Sequence, residues 1–342
     1  MTPDAAGRGD REDERMPILL NDDDLRPLFF EEPLGLVDAA EAAFREDVKP
    51  RPENRFIRVA LQTEGVNLVA NASSSPAYGV MLHSQVRGRT GRPLADSGGL
   101  MLQALLLFDA ATGNLEAIVC TRDYEYVHLP MQTAVGCRYL APSNPRVLGV
   151  MGSSVQARGH IPILLKTLPT IEEVRIYSPT REHREGLARD LDGSLEADVR
   201  AVETPRAAIE EADVLLAAAN SDEPTFEHEW LKPGGLVASI SRRQLPLGIA
   251  QLTRIFPITL EGFAHTVAGG RRATDHVGHH HPSWESVQPV GSLVEVMRGD
   301  VRARERDEDT VLFLLIGTSA IGAALARHAV EWAVRRGLGT RF

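Results

Sequence analysis

Residues 147–160 read VLGVMGSSVQARGH. An apolar run ends at Gly152, two serines follow, and a helical pattern begins at Val155. A dinucleotide site needs this order of parts. The backbone must turn sharply, the pyrophosphate must approach backbone N–H groups, and the helix N-terminus supplies partial positive charge. Ile161, Leu164, Leu165 and Leu168 fall at i, i+3, i+4 and i+7, which predicts a helix face packed on a sheet. The first glycine is kept, but the second is replaced by Ser154, whose hydroxyl can donate to a phosphate. The competing reading is a βα turn that binds nothing, because one glycine is a weak signature.

Beyond this stretch the chain alternates strand and helix: EEVRIYS, REHREGLARDL, VRAVE, TPRAAIEEA, DVLLAAA and LKPGGLVASIS. That rhythm predicts an α/β fold with a Rossmann-type, doubly wound parallel sheet. Upstream, RFIRVAL, GVNLVANA, YGVMLHSQV, LMLQALLLFD and LEAIVC read as a mainly antiparallel sheet, with a turn at DAATGN. NDDDLRPLF reads as a helix start capped by Asn21 or Asp22. Further helices are predicted over Leu34–Arg45, Tyr124–Leu140 and Ala320–Arg336. APSNP, at 141–145, breaks the chain where one domain passes into the next. The last helix has no strand to feed and is expected to return to the first domain. The expected organisation is a disordered tail over 1–16, an α+β domain from 17–142 and 315–342, and a Rossmann domain over 143–314.

The net charge of −10 argues against nucleic acid as a partner. No run approaches the roughly 20 apolar residues that span a bilayer, and the first residues lack the apolar core of a signal peptide. Cys120 and Cys137 do not make a disulfide framework. A cytoplasmic protein with no membrane partner is expected.

The second strand of the alternating half ends at Tyr177, followed by Ser178, Pro179, Thr180 and Arg181. An NAD site commonly places a carboxylate there for the ribose hydroxyls, whereas serine, threonine and arginine suit a 2′-phosphate. NADP(H) is therefore expected over NAD(H), with no cofactor at all if the turn is vestigial. The candidate cofactor set is Gly152, Ser153, Ser154, Val155, Gln156, Ser178, Thr180, Arg181 and Asn220. DHVGHHHPSW, with His276, His279, His280 and His281, has imidazoles that can ligate a metal. Gly278 and Pro282 make it a loop, and no functional metal is expected.

Several pieces, in order, resemble the ornithine cyclodeaminase and mu-crystallin family: LLLFDAATGNLEAIV, CRYLA, VLGVMGSSVQARGH, EEVRIYSPTREHREGLA, EADVLLAAANSDEPTF, EWLKPGGLVASI and GTSAIGAALARHAVEWAVRRGLG. They cover most of the chain from about residue 20. The resemblance implies a homodimer. Its substrate-binding and dimerisation domain would join the N-terminal part to the last helix, beside a Rossmann domain, with the active site between them. It also implies a small-molecule substrate and hydride chemistry on an imine, imino acid or amine.

The positions that carry that chemistry in the family are changed here. Its Arg-Thr pair falls on His128 and Leu129, its active-site lysine or arginine on Met81, and its catalytic aspartate near Arg243. The aspartate of its last-helix motif falls near Gly322 and the second glycine of its turn on Ser154. A substrate carboxylate wants a bidentate guanidinium, which Met81 and Leu129 do not supply. Arg55 and Arg243 are the candidate anion-binding replacements, with Met81 lining the substrate. His128 and His83, near the rewritten positions, are the candidate acid–base pair. Three functions stay open: an NADP(H)-dependent reductase or dehydrogenase with a rewritten site; a non-redox lyase, cyclase or hydrolase on the same scaffold; and a non-catalytic ligand-binding relative.

Overall fold

The computed structural model describes residues 16–47, 57–63, 66–73, 78–86, 102–109, 111–123, 127–221, 223–246, 248–269, 286–316 and 320–342. The expected tail over 1–16 falls almost wholly outside them. Arg55 and the histidines at 276–281 fall wholly outside. The chain divides into two compact units, Met1–His128 with Ser319–Phe342, and Leu129–Thr318.

The first unit opens with β1 (Ile18–Leu20) and α1 (Asp22–Arg26). Asn21 caps α1: its Oδ1 accepts from Asp23 N at 2.8 Å, and Asp24 Oδ2 accepts from Asn21 N at 3.0 Å. This reciprocal box satisfies N–H groups that a helix start otherwise leaves open, and the acids in the first turn favour the positive helix end. Pro27–Glu31 forms a π-helical turn before α2 (Pro33–Asp47). Then come β2 (Ile57–Thr63), β3 (Val66–Ser73), β4 (Tyr78–Val86), β5 (Leu102–Phe108) and β6 (Leu115–Thr121). From β2 to β6 consecutive strands pair antiparallel, as the apolar runs separated by Gly, Pro and Ser clusters predicted. The carboxylate of Asp109 accepts from the N–H groups of Ala111 and Thr112 and fixes the turn between β5 and β6.

The second unit takes all of α3 (His128–Leu140) except its first residue, then β7 (Val147–Met151), α4 (Val155–Thr167), β8 (Glu173–Tyr177) and α5 (Arg181–Leu191). It continues through β9 (Asp198–Ala201), α6 (Pro205–Ile209), β10 (Val214–Ala217), β11 (Leu236–Ser239), α7 (Ile249–Leu252) and β12 (Arg254–Pro257). It closes with α8 (Leu260–Gly269), α9 (Leu293–Arg298) and β13 (Val311–Leu314). The sheet order is β12-β13-β11-β10-β7-β8-β9, and every pair is parallel. This is the expected doubly wound sheet, with the order reversing between β7 and β10.

Two of its strands were not anticipated. β12 (RIFP) and β13 (VLFL) are short apolar runs without alternation, a pattern that periodicity does not separate from other buried segments. β13 lies between β11 and β12, and all four of its residues are buried. The charged loop before it is anchored by Arg304, whose guanidinium donates to the carbonyls of Leu140, Gly234 and Gly235. β10 and β11 are likewise buried along their whole length, as strands covered on both faces must be. On α4, Ile161, Ile163 and Leu164 are buried while Leu165 is only half-buried, so the packed face sits slightly off the predicted one.

The chain then supplies α10 (Ala320–Arg335) and β14 (Thr340–Arg341) to the first unit. α10 lies against α2 and across β4, β5 and β6. Arg336 stacks on Trp332, 4.2 Å from its ring centroid, and both donate to Glu32. β14 pairs antiparallel with β1, which pairs parallel with β6, giving the order β14-β1-β6-β5-β4-β3-β2.

Candidate dinucleotide site

In an open parallel sheet, ligands bind outside the carboxyl ends of the strands where the order reverses. Here that point lies between β7 and β10, and the residues that leave it are Gly152 and Ala218. Gly152 has φ +122°, a conformation that side chains disfavour. A Cβ there would stand 2.6 Å from the carbonyl oxygen of Ala218. The turn is closed by Gly152 N–H to Tyr177 O at 2.8 Å and Ala218 N–H to Met151 O at 2.9 Å. Glycine is thus required twice over, by backbone angle and by space.

Ser154 is the N-cap of α4, exposed, at φ −88° and ψ −171°. This is ordinary extended backbone, so the missing second glycine costs no strain. Its hydroxyl makes no capping hydrogen bond. The first intrahelical bond of α4 is Arg158 N–H to Ser154 O at 3.0 Å. The N–H groups of the turn before it have no intrahelical acceptor and point with the positive end of the helix. Val155 and Gln156 are half-buried in that first turn. A small, cleared turn beneath a helix N-terminus fits a pyrophosphate.

The hydroxyl of Ser153 donates to that of Ser178 at 2.8 Å, and Ser178 donates to Thr180 O at 3.3 Å. The turn is thereby joined to the end of β8. Thr180 is exposed and stands at the N-cap position of α5, where its side chain makes no capping hydrogen bond. Arg181 is exposed too, and its Nε donates to Glu185 at 2.6 Å. Arg184, one turn further on, is a residue that the sequence reading missed. It is 6% exposed, donates to Ser178 O at 3.0 Å and to Glu203 at 3.2 Å, and lies 5.8 Å from the ring centroid of Tyr177. Its only signal was its spacing from Leu187 and Leu191 on the buried face of α5.

The opposite side of the switch point is fixed by Gln244, which is fully buried. Its amide donates to Ala217 O and accepts from Ala219 N–H, each at 2.8 Å. This holds the chain leading to exposed Asn220. Nothing in the spacing of SRRQLP set Gln244 apart from the arginines before it. Arg242 and Arg243 follow β11 in a single 3₁₀ turn. Arg242 is buried, which pushes its guanidinium down to about 10, and Arg243 is half-buried.

The second unit thus brings together the predicted cofactor residues from Gly152 to Gln156 with Ser178. The substrate candidates are placed less fully. Met81 and His83 lie on β4, opposite Asn71 and Val69 of β3. His128 opens α3 and is half-buried. Burial pushes the Cys137 thiol up to about 12, in keeping with a small apolar core residue, while Cys120 is half-buried. Among the described residues no helix is long and apolar enough to cross a membrane.

A parallel sheet with this turn at its switch point defines the class: a Rossmann-fold protein. Residues 85–335 match the model of the Ornithine cyclodeaminase/mu-crystallin family, and the chain belongs to that family. It is 30% identical to the ketimine reductase mu-crystallin of Rattus norvegicus over 137 residues, 40% of this chain and 42% of that protein. The alignment therefore spans well under half of that relative. It is 26% identical over 302 residues to the Delta(1)-pyrroline-2-carboxylate reductase of Paracoccus denitrificans, covering 85% of this chain and 90% of that one. The fold is shared with the Thermococcus litoralis Delta(1)-pyrroline-2-carboxylate reductase solved in complex with NADH and L-proline. The TM-score is 0.77 at 22% identity, over 95% of this chain and 100% of that one.

Proposed function

We propose that the chain is an NAD(P)H-dependent reductase acting on the C=N bond of an imine or imino acid, with a rewritten substrate site. The carrying observation is the Gly152 turn, cleared of side chains at the switch point and backed by the N-terminus of α4. When bound, the dinucleotide supplies the hydride. The residues of the turn from Gly152 to Gln156 hold its pyrophosphate through backbone N–H groups, with the Ser154 hydroxyl as an added donor. Ser178, Thr180 and Arg181 receive the adenosine ribose, and Asn220 borders the turn from the β10 side. The stretch from Ser178 to Arg181 contains no carboxylate, which supports NADP(H) over NAD(H).

On the substrate side, His128 or His83 provides the proton that the imine nitrogen takes up. Arg55 or Arg243 orients the carboxylate, and Met81 offers an apolar wall. The unit with the antiparallel sheet serves substrate binding and dimerisation, and the other binds the cofactor. The protein works in the cytoplasm as a homodimer. A second reading, a non-redox enzyme or ligand binder on the same scaffold, draws on Met81 and Arg243 at positions where the family resemblance calls for a cation and a carboxylate.

Titration with NADPH and NADH, followed by cofactor fluorescence, tests the reading. Micromolar NADPH binding that is tighter than NADH binding is the expected outcome. Absence of binding by either up to millimolar concentrations would move the assignment to the second reading.

A further inference from the structure

Two buried polar side chains of the second unit face each other beneath the nucleotide turn, and neither takes part in the proposed chemistry. His160 lies on α4 and Thr133 on α3, both 0% exposed. Nε2 of His160 is 2.8 Å from Oγ1 of Thr133, and Nδ1 is 2.7 Å from the carbonyl oxygen of Gln156. Thr133 Oγ1 is also 3.0 Å from the carbonyl oxygen of Leu129. The contacts form one continuous chain, from Leu129 O through Thr133 and His160 to Gln156 O. Its two ends are carbonyls of the first turns of α3 and α4.

The hydrogens can be assigned. A carbonyl only accepts, so Nδ1 carries the proton. Burial pushes the His160 imidazole down to about 4, so the ring is neutral near pH 7 and Nε2 is a bare acceptor. The Thr133 hydroxyl then supplies the hydrogen to Nε2. The same hydroxyl can turn to Leu129 O instead, so a single proton serves two acceptors. Buried polar groups left without a partner are costly, which makes the chain sensitive to the loss of either member.

We propose that His160 and Thr133 are positioning residues. They lock the first turn of α3, which begins at the candidate acid–base residue His128, to the first turn of α4, which receives the dinucleotide. The inference rests on the reductase reading and goes beyond it, because neither residue touches substrate or cofactor. Thr133 reaches the reaction through the helix that carries His128. His160 reaches it through Gln156 in the nucleotide turn.

The test uses the full-length chain with NADPH and Δ1-pyrroline-2-carboxylate. Four variants are compared: Thr133→Val, which is nearly isosteric, Thr133→Ser, His160→Gln, and the double variant Thr133→Val with His160→Gln. Thr133→Val should lower kcat for the imino acid at least fivefold and leave its KM and the NADPH dissociation constant within twofold. Thr133→Ser, which restores the hydroxyl, should return kcat to within twofold of wild type. The double variant should be no worse than His160→Gln alone, since one link is already broken. A wild-type kcat in Thr133→Val, no rescue by serine, or additive losses in the double variant would each overturn the proposal. Failure of the reductase reading looks different: the wild-type chain itself would neither bind NADPH nor turn over the imino acid.

Discussion

The carbonyl oxygen of Ala218 occupies the space a side chain on Gly152 would need, with 2.6 Å between that oxygen and a Cβ. β10 thus dictates the residue type at the end of β7. Gly152→Ala adds a φ of +122° to this clash, at a cost on the order of 2–4 kcal/mol. The variant should unfold at lower urea concentration and bind NADPH at least tenfold more weakly. Retained affinity in a folded variant would show that the turn is not where the cofactor sits.

His160 should make the protein acid-sensitive. Its folded value, near 4, lies below its ordinary 6.5, so the unfolded chain takes up the proton first as the pH falls. The contribution is complete above about pH 6.5 and is lost down to about pH 4, worth on the order of 3 kcal/mol through linkage. Urea melts of wild type and His160→Gln across this range should converge toward the acid end. A constant difference between them would show that the imidazole is not titrating.

At the opposite end of the central strands β7 and β10, Asp213 accepts from Arg146 N–H at 2.6 Å, Val147 N–H at 3.0 Å and Lys232 Nζ at 2.6 Å. Burial raises its carboxyl, but these donors outweigh that and hold it below the usual range. Asp213→Ala strips the Arg146 and Val147 N–H groups of their shared acceptor, Oδ2, and should cost about 3 kcal/mol. Thermal unfolding would record this as a lower Tm, with NADPH affinity in the surviving folded protein unchanged.

Glu211 is the one described non-glycine residue with positive φ, at +64°. Glu211→Gly relieves that left-handed backbone at some entropic cost and should stabilise the chain by up to about 1 kcal/mol. A denaturant midpoint below that of wild type would contradict this.

Much of this architecture could be read from residue pattern. VLGVMGSSVQARGH announced a strand, a turn and a helix, because glycine, small residues and apolar periodicity each have a local cause. A cap at Asn21 or Asp22, of which the structure uses Asn21, and the antiparallel strands were legible for the same reason. β12 and β13 were not, since four buried residues in a row carry no period. Arg184, Gln244 and the Thr133–His160 pair were also hidden. Each acts by meeting a group distant in sequence, and nothing in its immediate neighbours records that meeting. The substrate side was least legible, because the side chains the resemblance would have identified are the ones that differ.

The pairing of β1 with β14, Ile18 against Arg341, has a consequence for synthesis. As the ribosome delivers the chain, every strand of the parallel sheet has been made once Leu314 appears. The antiparallel sheet then still lacks α10, the helix that lies across β4, β5 and β6. One face of β4, β5 and β6 therefore waits for its cover until after the whole parallel sheet has been made. The unit whose synthesis starts before the parallel sheet is thus completed after it, by residues 319–342.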